Sequence, residues 1–147
     1  MPTVHFSGNW YNQDTGHDML DMLRRAGYSV LVDWTTPEHQ HKPKAEQYEA
    51  IVDAINACDV VLISLEGMAD RMWSATTAQL YMALGIKHKN IIVYDPDMPT
   101  RDKANSCGMN LHPSMVHLMG HALCCAHKVY VPTDMAMLRA RLSQYTL

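Results

Sequence analysis

The strongest indication of the fold is the run DVVLISL at residues 59–65, which is almost continuously apolar and rich in β-branched side chains. A strand with one face in water alternates apolar and polar residues, whereas a continuous apolar run is expected when both faces are covered. Strands of this kind occur in parallel sheets that carry helices on both sides. The run therefore predicts a buried strand of an α/β domain.

Strand-like and helix-like segments alternate along the rest of the chain. The predicted strands are residues 3–8, 28–33, 59–65, 90–94 and 128–131. The predicted helices are residues 14–26, 44–58, a helix ending near Gly85, 113–123 and 133–145, with a polar, proline-bounded loop over 34–43. Such strand and helix units give a parallel sheet with right-handed crossovers. We expect one α/β domain over residues 1–147, a three-layer sandwich with a flavodoxin-like or Rossmann-like parallel sheet of about five strands and helices on both faces.

Composition and charge restrict the partners and the compartment. Of the 147 residues, 48% are hydrophobic and 18% are charged, which is ordinary for a globular domain. A formal charge of -3 offers no basic surface, so we expect no nucleic-acid partner. The longest apolar run is too short to cross a bilayer, and residues 1–5 do not resemble a signal peptide, so no membrane partner is expected. Cys58, Cys107, Cys124 and Cys125 form no spaced disulfide framework, which favours reduced thiols and a cytoplasmic protein.

The edge of the sheet at the carboxyl ends of the strands is the expected ligand site, since parallel α/β sheets bind ligands there. Ser7, Gly8 and Asn9 follow the first strand, where a glycine lets the backbone approach a ligand and an amide can bond sugar hydroxyls or phosphate. A simple turn is the alternative. Trp34 and Trp73 could stack on a base, or could simply cover the core.

Carboxylates at the same edge are the candidates for acid, base or nucleophilic chemistry. Glu66 is the first choice and Asp70 the second, both just after the third predicted strand. The alternative is that they are solvated loop charges. Further substrate-binding residues are expected in the same loops and in a late Asn-, Gly- and Pro-rich segment: Asp33, Gly67, Met68 and His112.

Metal and cofactor chemistry receive little support. His117, His121 and Cys125 recur at helical spacing, but one helical face cannot place three ligands around one ion, so histidines packed at a helix interface are favoured and no metal is predicted. The sequence contains no GxxxxGK loop, no GxGxxG fingerprint and no GxSxG elbow around Ser7 or Ser64. We therefore predict no cofactor.

Five segments, taken in order, resemble the nucleoside 2-deoxyribosyltransferase-like superfamily, which includes deoxyribosyltransferases and deoxynucleotide N-glycosidases. They are VHFSG, AGYSVLVDWT, ACDVVLISLEG, TTAQLYMALG with the following IIVYDP, and NLHPSMV. The resemblance covers most of the chain and agrees with the expected fold. It implies a nucleoside or nucleotide as a small-molecule ligand, and a homo-oligomer, a dimer or larger, whose neighbouring subunit helps to complete the pocket.

Two positions depart from the pattern of that superfamily. The resemblance implies a glutamate at the position of Gln79, whose carboxylate attacks the anomeric carbon of a deoxyribose. A primary amide lacks the charge that stabilises the developing oxocarbenium ion. The superfamily also often carries an aspartate where this chain has Ile51, and the nearby Glu49 and Asp53 lie about 200° around a helix from that position.

Two hypotheses about function follow. The first is an enzyme that cleaves or transfers the N-glycosidic bond of a deoxynucleoside or its monophosphate, with Glu66 or Asp70 as the reactive carboxylate and Gln79 orienting the sugar. The second is a catalytically inactive relative that binds a nucleotide or serves as an assembly module. Gln79 favours the second hypothesis, and the retained edge loops favour a ligand in either case.

Overall fold

The computed structural model describes residues 1–68, 74–86, 89–100 and 129–146. The strands are β1 Thr3–Ser7, β2 Ser29–Val30, β3 Val60–Ser64, β4 Asn90–Tyr94 and β5 Val129–Tyr130. The helices are α1 Gln13–Arg25, α2 Pro37–Gln40, α3 Lys44–Ala57, α4 Ser74–Leu84 and α5 Met135–Ser143, with a 3-10 turn at Met98–Thr100. The helix predicted over residues 113–123 lies outside the described residues.

All five strands are parallel and lie in the order β2-β1-β3-β4-β5, which confirms the predicted fold class. From β1 the chain passes to β2 on one side, while β3 to β5 continue on the other side. The strand order therefore reverses between β1 and β3. In doubly wound sheets of this flavodoxin-like order, the crevice at the reversal is the usual ligand site.

The buried core has two halves, one on each face of the sheet. Val61 and Ile63 of β3 pack with residues of α3 and α4, including Ile55 and Leu80. Leu62, on the opposite side of β3, packs with residues of α1 and α5. The apolar run of β3 is continuous because successive side chains alternate between two covered faces. We call these halves the α3/α4 face and the α1/α5 face.

The α1/α5 face is formed by two capped helices. Asn12 accepts a hydrogen bond from the Thr15 amide at the start of α1, and Asp134 accepts one from the Met137 amide at the start of α5. Side-chain acceptors at these positions satisfy amides that the first helical turn leaves without partners. Both helices present a buried apolar stripe to the sheet: Met19, Leu20 and Leu23 of α1, and Leu138 and Leu142 of α5.

The second strand and the following loop differ from the prediction. The strand covers only Ser29–Val30 of the predicted 28–33, because Asp33 turns the chain by accepting the backbone amide of Thr35. The predicted loop over 34–43 contains the short helix α2, which has Thr36 as its N-cap and Pro37 in its first turn. Among the described helices, none has the length and apolar character needed to cross a bilayer.

Candidate functional site

A cleft of about 430 Å³ opens beside the carboxyl end of β1, between α3 and α4. Its volume lies in the range of small-molecule sites. The first part of the chain contributes residues from the end of β1, the loop after it and the region after β2: Ser7, Gly8, Trp10, Tyr11, Trp34 and His39. The two helices contribute Lys44, Gln47, Tyr48, Ile51, Val52, Ala75, Thr76, Ala78, Gln79 and Met82.

Each helix faces the cleft with a single stripe. The α3 residues recur at intervals of three and four from Lys44 to Val52, and the α4 residues recur in the same way from Ala75 to Met82. Residues at this spacing share one face of a helix. Leu80 and Ala83 lie on another side of α4 and pack into the core, so α4 serves both the core and the cleft.

The side chain of Gln79 forms a hydrogen bond with a buried histidine of β1. The side chain of His5 is fully buried, and its Nε2 lies 2.7 Å from Oε1 of Gln79. Burial lowers the pKa of His5 below its usual value, although the hydrogen bond to Gln79 acts in the opposite direction. The imidazole is therefore neutral near pH 7. Gln79 itself is half-buried and reaches the cleft.

Three aromatic rings form a stack that ends at the cleft. Trp34 lies between Phe6 and Trp10, with ring centroids 5.8 Å and 5.6 Å away. Its Nε1 donates a hydrogen bond of 2.9 Å to the carbonyl of Phe6. Both faces of Trp34 are thus occupied by other rings. The outermost ring is Trp10, which is 40% exposed.

The turn after β1 places Ser7 and Gly8 in the cleft wall but leaves Asn9 outside it. A Cβ atom on Gly8 would lie 2.8 Å from Cζ of Phe6, so the absence of a side chain allows the loop to pack on that ring. The Oδ1 of Asn9 accepts the backbone amide of Tyr11 at 3.0 Å. Asn9 therefore shapes the loop that carries Trp10 and Tyr11.

Asp33 is held in an ion pair next to its turn and does not line the cleft. Its carboxylate lies 2.7 Å from Nη2 of Arg24 and also accepts the hydroxyl of Thr35. Burial alone would raise the pKa of Asp33, but the hydrogen bonds from Arg24 and Thr35 outweigh it and lower the pKa.

The described residues of the loop after β3 do not line the cleft. Glu66 is half-buried and donates its backbone amide to Oγ of Ser64 at 3.3 Å. Burial and then the charge of Glu66 raise the pKa of Tyr94, which places this carboxylate near the end of β4. Gly67 has a left-handed backbone (φ +77°), and Met68 is buried in the core of the α3/α4 face. Asp70, Trp73 and His112 lie outside the described residues.

Sequence reasoning did not select several residues that line or support the cleft. On the sheet side these are His5, Trp10 and His39; on α3 they are Lys44, Gln47 and Tyr48. A polar residue at an inward strand position would have indicated His5, and the three- and four-residue spacing would have indicated the α3 group. Burial and nearby Lys42 lower the pKa of His39, and the Gln47 amide donates to the carbonyls of Gln40 and Lys42.

The described lining contains no carboxylate. Ile51, at the position where the resemblance implies an aspartate, lines the cleft and packs against the core. Glu49 and Asp53 are exposed and do not line it. Within the described ranges, no three histidine, cysteine or acidic side chains are grouped to hold a metal ion. His117, His121 and Cys125 lie outside those ranges.

Comparison with known proteins connects this architecture to solved structures. No protein-family model and no curated protein matches the sequence. The structure of the CMP N-glycosidase BcmB from Clostridium botulinum is similar with a TM-score of 0.60 and 15% identity, over 97% of this chain and 98% of that one. A conserved protein from Enterococcus faecalis V583 is similar with a TM-score of 0.50 and 12% identity, over 99% of this chain and 87% of that one. At these identities, the finding is that the chain shares its fold with a nucleotide N-glycosidase.

Proposed function

We propose that the cleft binds a nucleoside or a nucleoside monophosphate, and that the chain is a member of the nucleoside 2-deoxyribosyltransferase-like superfamily that binds its ligand without efficient cleavage. The observation that carries this proposal is a cleft at the reversal of strand order that is lined by aromatic and polar groups, without a carboxylate among its described residues. The similar fold of a CMP N-glycosidase supports the ligand class by analogy.

The lining suits the parts of a nucleotide. Trp10 offers an exposed ring for a base, and stacking on such a ring contributes about 1–3 kcal/mol. Lys44, whose Nζ lies 6.0 Å from the centroid of that ring, supplies a positive charge next to it. Ser7, Thr76 and Gln79 supply hydroxyl and amide groups for a sugar. A monophosphate would bring the negative charge that Lys44 attracts.

Binding is favoured over cleavage because the described lining of the cleft contains no carboxylate that could attack or protonate a glycosidic bond. Cleavage of a glycosidic bond uses two carboxylates, one on each side of the bond. Among the described residues at this edge, Asp33 is paired with Arg24, and Glu66 lies toward β4. Cleavage remains the second candidate, since Glu66 lies at the same sheet edge, where Asp70 is also expected to contribute.

Two measurements on one ligand panel distinguish the candidates. The protein is incubated with cytidine, deoxycytidine, their monophosphates and the corresponding adenine compounds, with inorganic phosphate as the control. Thermal unfolding reports binding, because a ligand at 100 times its Kd stabilises the folded state by about 2.7 kcal/mol. Chromatography of the free base reports cleavage. Stabilisation without released base supports binding, and base release supports cleavage. If no compound stabilises the protein and no base is released, the proposal is rejected.

A matched pair of variants locates the ligand. Trp10→Ala removes one exposed ring of the cleft, and we expect a rise in Kd of about 5- to 150-fold. Leu31→Ala removes an exposed apolar side chain that does not line the cleft, and we expect no change. Equal effects of the two substitutions would place the ligand elsewhere.

We also propose a homo-oligomer that covers the rim of the cleft. Tyr48 and Val52 of α3 and Tyr81 of α4 are exposed apolar residues on neighbouring helices. Clustered exposed apolar residues are typical of interaction surfaces. Light scattering on the purified chain measures its mass. We expect at least a dimer, and Tyr48→Glu should shift it toward the monomer; a monomeric wild-type chain would reject this proposal.

A further inference from the structure

The hydrogen bond between His5 and Gln79 connects the floor of the cleft to its wall. His5 is in β1, opposite Val61 of β3, and its ring points to the side of the sheet on which α4 packs. A fully buried imidazole is costly unless its polar atoms find partners. Its Nε2 has the Gln79 carboxamide at 2.7 Å, while its Nδ1 has no hydrogen-bond partner among the described residues.

The position of the ring proton follows from this difference. If Oε1 of Gln79 is the acceptor, Nε2 carries the proton and Nδ1 is a bare acceptor. If the carboxamide were reversed, its NH₂ group would donate to Nε2 and the proton would lie on Nδ1, as a buried N–H without an acceptor. Buried N–H groups without partners are rarer than buried acceptors without partners. Burial also lowers the pKa of His5, which disfavours a second proton.

We propose that His5 is a positioning residue that sets the polarity of Gln79. The Nε2–H of His5 holds Oε1 of Gln79 toward the sheet, so that the NH₂ group of the carboxamide faces the cleft as a hydrogen-bond donor. No described residue accepts a hydrogen bond from this NH₂ group, so it is available to a ligand. The ligand atom that meets Gln79 is then an acceptor, such as a sugar oxygen or a base carbonyl; this last step rests on the proposed nucleotide function.

A carboxylate at the same position would reverse this arrangement. Gln79→Glu would present acceptors both to the cleft and to His5, and the added negative charge next to the ring would favour the imidazolium. The charge therefore raises the pKa of His5 relative to the wild-type chain, while Nε2 keeps its proton and donates to the carboxylate. The tautomer of His5 and the direction of this pKa change can both be measured without any ligand.

The test is long-range ¹H–¹⁵N correlation spectroscopy of protein labelled at histidine, with His5 assigned from the His5→Leu variant. In the wild-type chain at pH 7 we expect a neutral ring protonated at Nε2. In Gln79→Glu we expect Nε2 to keep its proton, and Nδ1 to take up the second proton at a higher pH than in the wild-type chain. The matched control is Tyr81→Glu, which adds the same charge on α4 at an exposed side chain outside the cleft and should leave the His5 signals at their wild-type values.

Each outcome counts for or against the proposal. A wild-type ring protonated at Nδ1, a wild-type imidazolium, or a ring that titrates at the same pH in Gln79→Glu as in the wild-type chain would overturn the assignment of His5. The ligand step has its own readout with cytidine monophosphate as the probe. Gln79→Met keeps the length of the side chain and removes the donor, so we expect about tenfold weaker binding. An unchanged Kd would reject the donor role of Gln79 and leave the tautomer result standing.

That second readout also separates the two proposals. If cytidine monophosphate and the rest of the panel fail to bind the wild-type chain, the proposed nucleotide function fails and the donor role of Gln79 toward such a ligand fails with it. The spectra of His5 would still decide whether His5 positions Gln79.

Discussion

The two faces of the sheet differ in what they bury. On the α1/α5 face, Leu20, Leu62 and Leu142 form an apolar core, and the buried hydroxyl of Tyr28 donates to the carbonyl of Leu142 at 2.6 Å. On the α3/α4 face, the apolar core is interrupted at the end of β1, where His5 and Gln79 form a buried polar contact below a cleft. The same sheet thus uses one face for stability and the other for both stability and a site.

The largest expected effect is in the apolar core shared with α1 and α5. Leu62→Ala removes a fully buried side chain of the central strand, and we expect a loss of about 2–5 kcal/mol in the free energy of unfolding because a cavity remains. Urea denaturation measures this loss in the free energy of unfolding. The control is Leu31→Ala, at a side chain that is 39% exposed, where the loss should be below about 1 kcal/mol. Similar losses would contradict the assignment of the core.

The next largest effect on the free energy of unfolding concerns Tyr28, which makes the stability of the α1/α5 face sensitive to alkaline pH. Tyr28→Phe removes the hydrogen bond from the Tyr28 hydroxyl to the Leu142 carbonyl, which still accepts the backbone amide of Tyr145, and we expect a loss of about 0.5–1.5 kcal/mol. Burial raises the pKa of Tyr28 to about 12, while the unfolded chain ionises near its ordinary value of 10.0. The neutral form is therefore favoured in the folded state, and its stabilisation is complete below pH 10 and lost as the pH rises toward 12.

Denaturation at a series of alkaline pH values measures this dependence. The wild-type chain should lose more stability between pH 10 and 12 than Tyr28→Phe does. A parallel decline in both proteins would show that Tyr28 does not titrate as its burial predicts.

The α3/α4 face should be sensitive to acid. Burial lowers the pKa of His5, so the unfolded chain binds a proton that the folded chain does not. Stability is then lost as the pH falls below the unfolded value of 6.5, by at most about 1.4 kcal/mol per pH unit for one proton. His5→Leu should reduce this slope between pH 6.5 and 5, which acid-range denaturation of both proteins measures. Equal slopes would contradict the prediction.

The smallest expected effect concerns Glu66. Because this carboxylate does not line the cleft, Glu66→Gln should change the unfolding free energy by less than about 0.5 kcal/mol and leave nucleotide binding unchanged. Thermal unfolding with and without cytidine monophosphate measures both quantities. A loss of binding would indicate that the ligand contacts the end of β3, and this result would strengthen the cleavage hypothesis.

The fold could be predicted because its signals are local. The apolar run of β3 and the three- and four-residue spacing in α1 are periodic patterns that do not depend on distant residues. The shortened β2 could not be predicted, because its end depends on the side chain of Asp33 capping its own turn. The helix α2 lies within the predicted loop because its four residues are too few for a periodic pattern.

The lining of the cleft could be predicted only in part. Topology determines which edge of the sheet faces a ligand, whereas the packing of the helices determines which side chains line the cleft. Ser7, Gly8, Trp34 and Gln79 line the cleft, as do residues of α3 that no motif indicated, such as Lys44. Trp34 is buried and stacked with Phe6 and Trp10, which favours the alternative that this ring covers the core. Whether a ring is available to a ligand depends on residues that are distant in the sequence.

By itself, the amino-acid sequence determined a parallel α/β domain with an amide at position 79, since hydrophobic periodicity and residue identity are properties of the chain alone. Only the tertiary structure decided that His5 lies within hydrogen-bond distance of that amide and that Glu66 does not line the cleft. The physical reason is that hydrogen bonds and burial act over a few ångströms, between β1 and α4 residues that are separated by 74 positions in the chain.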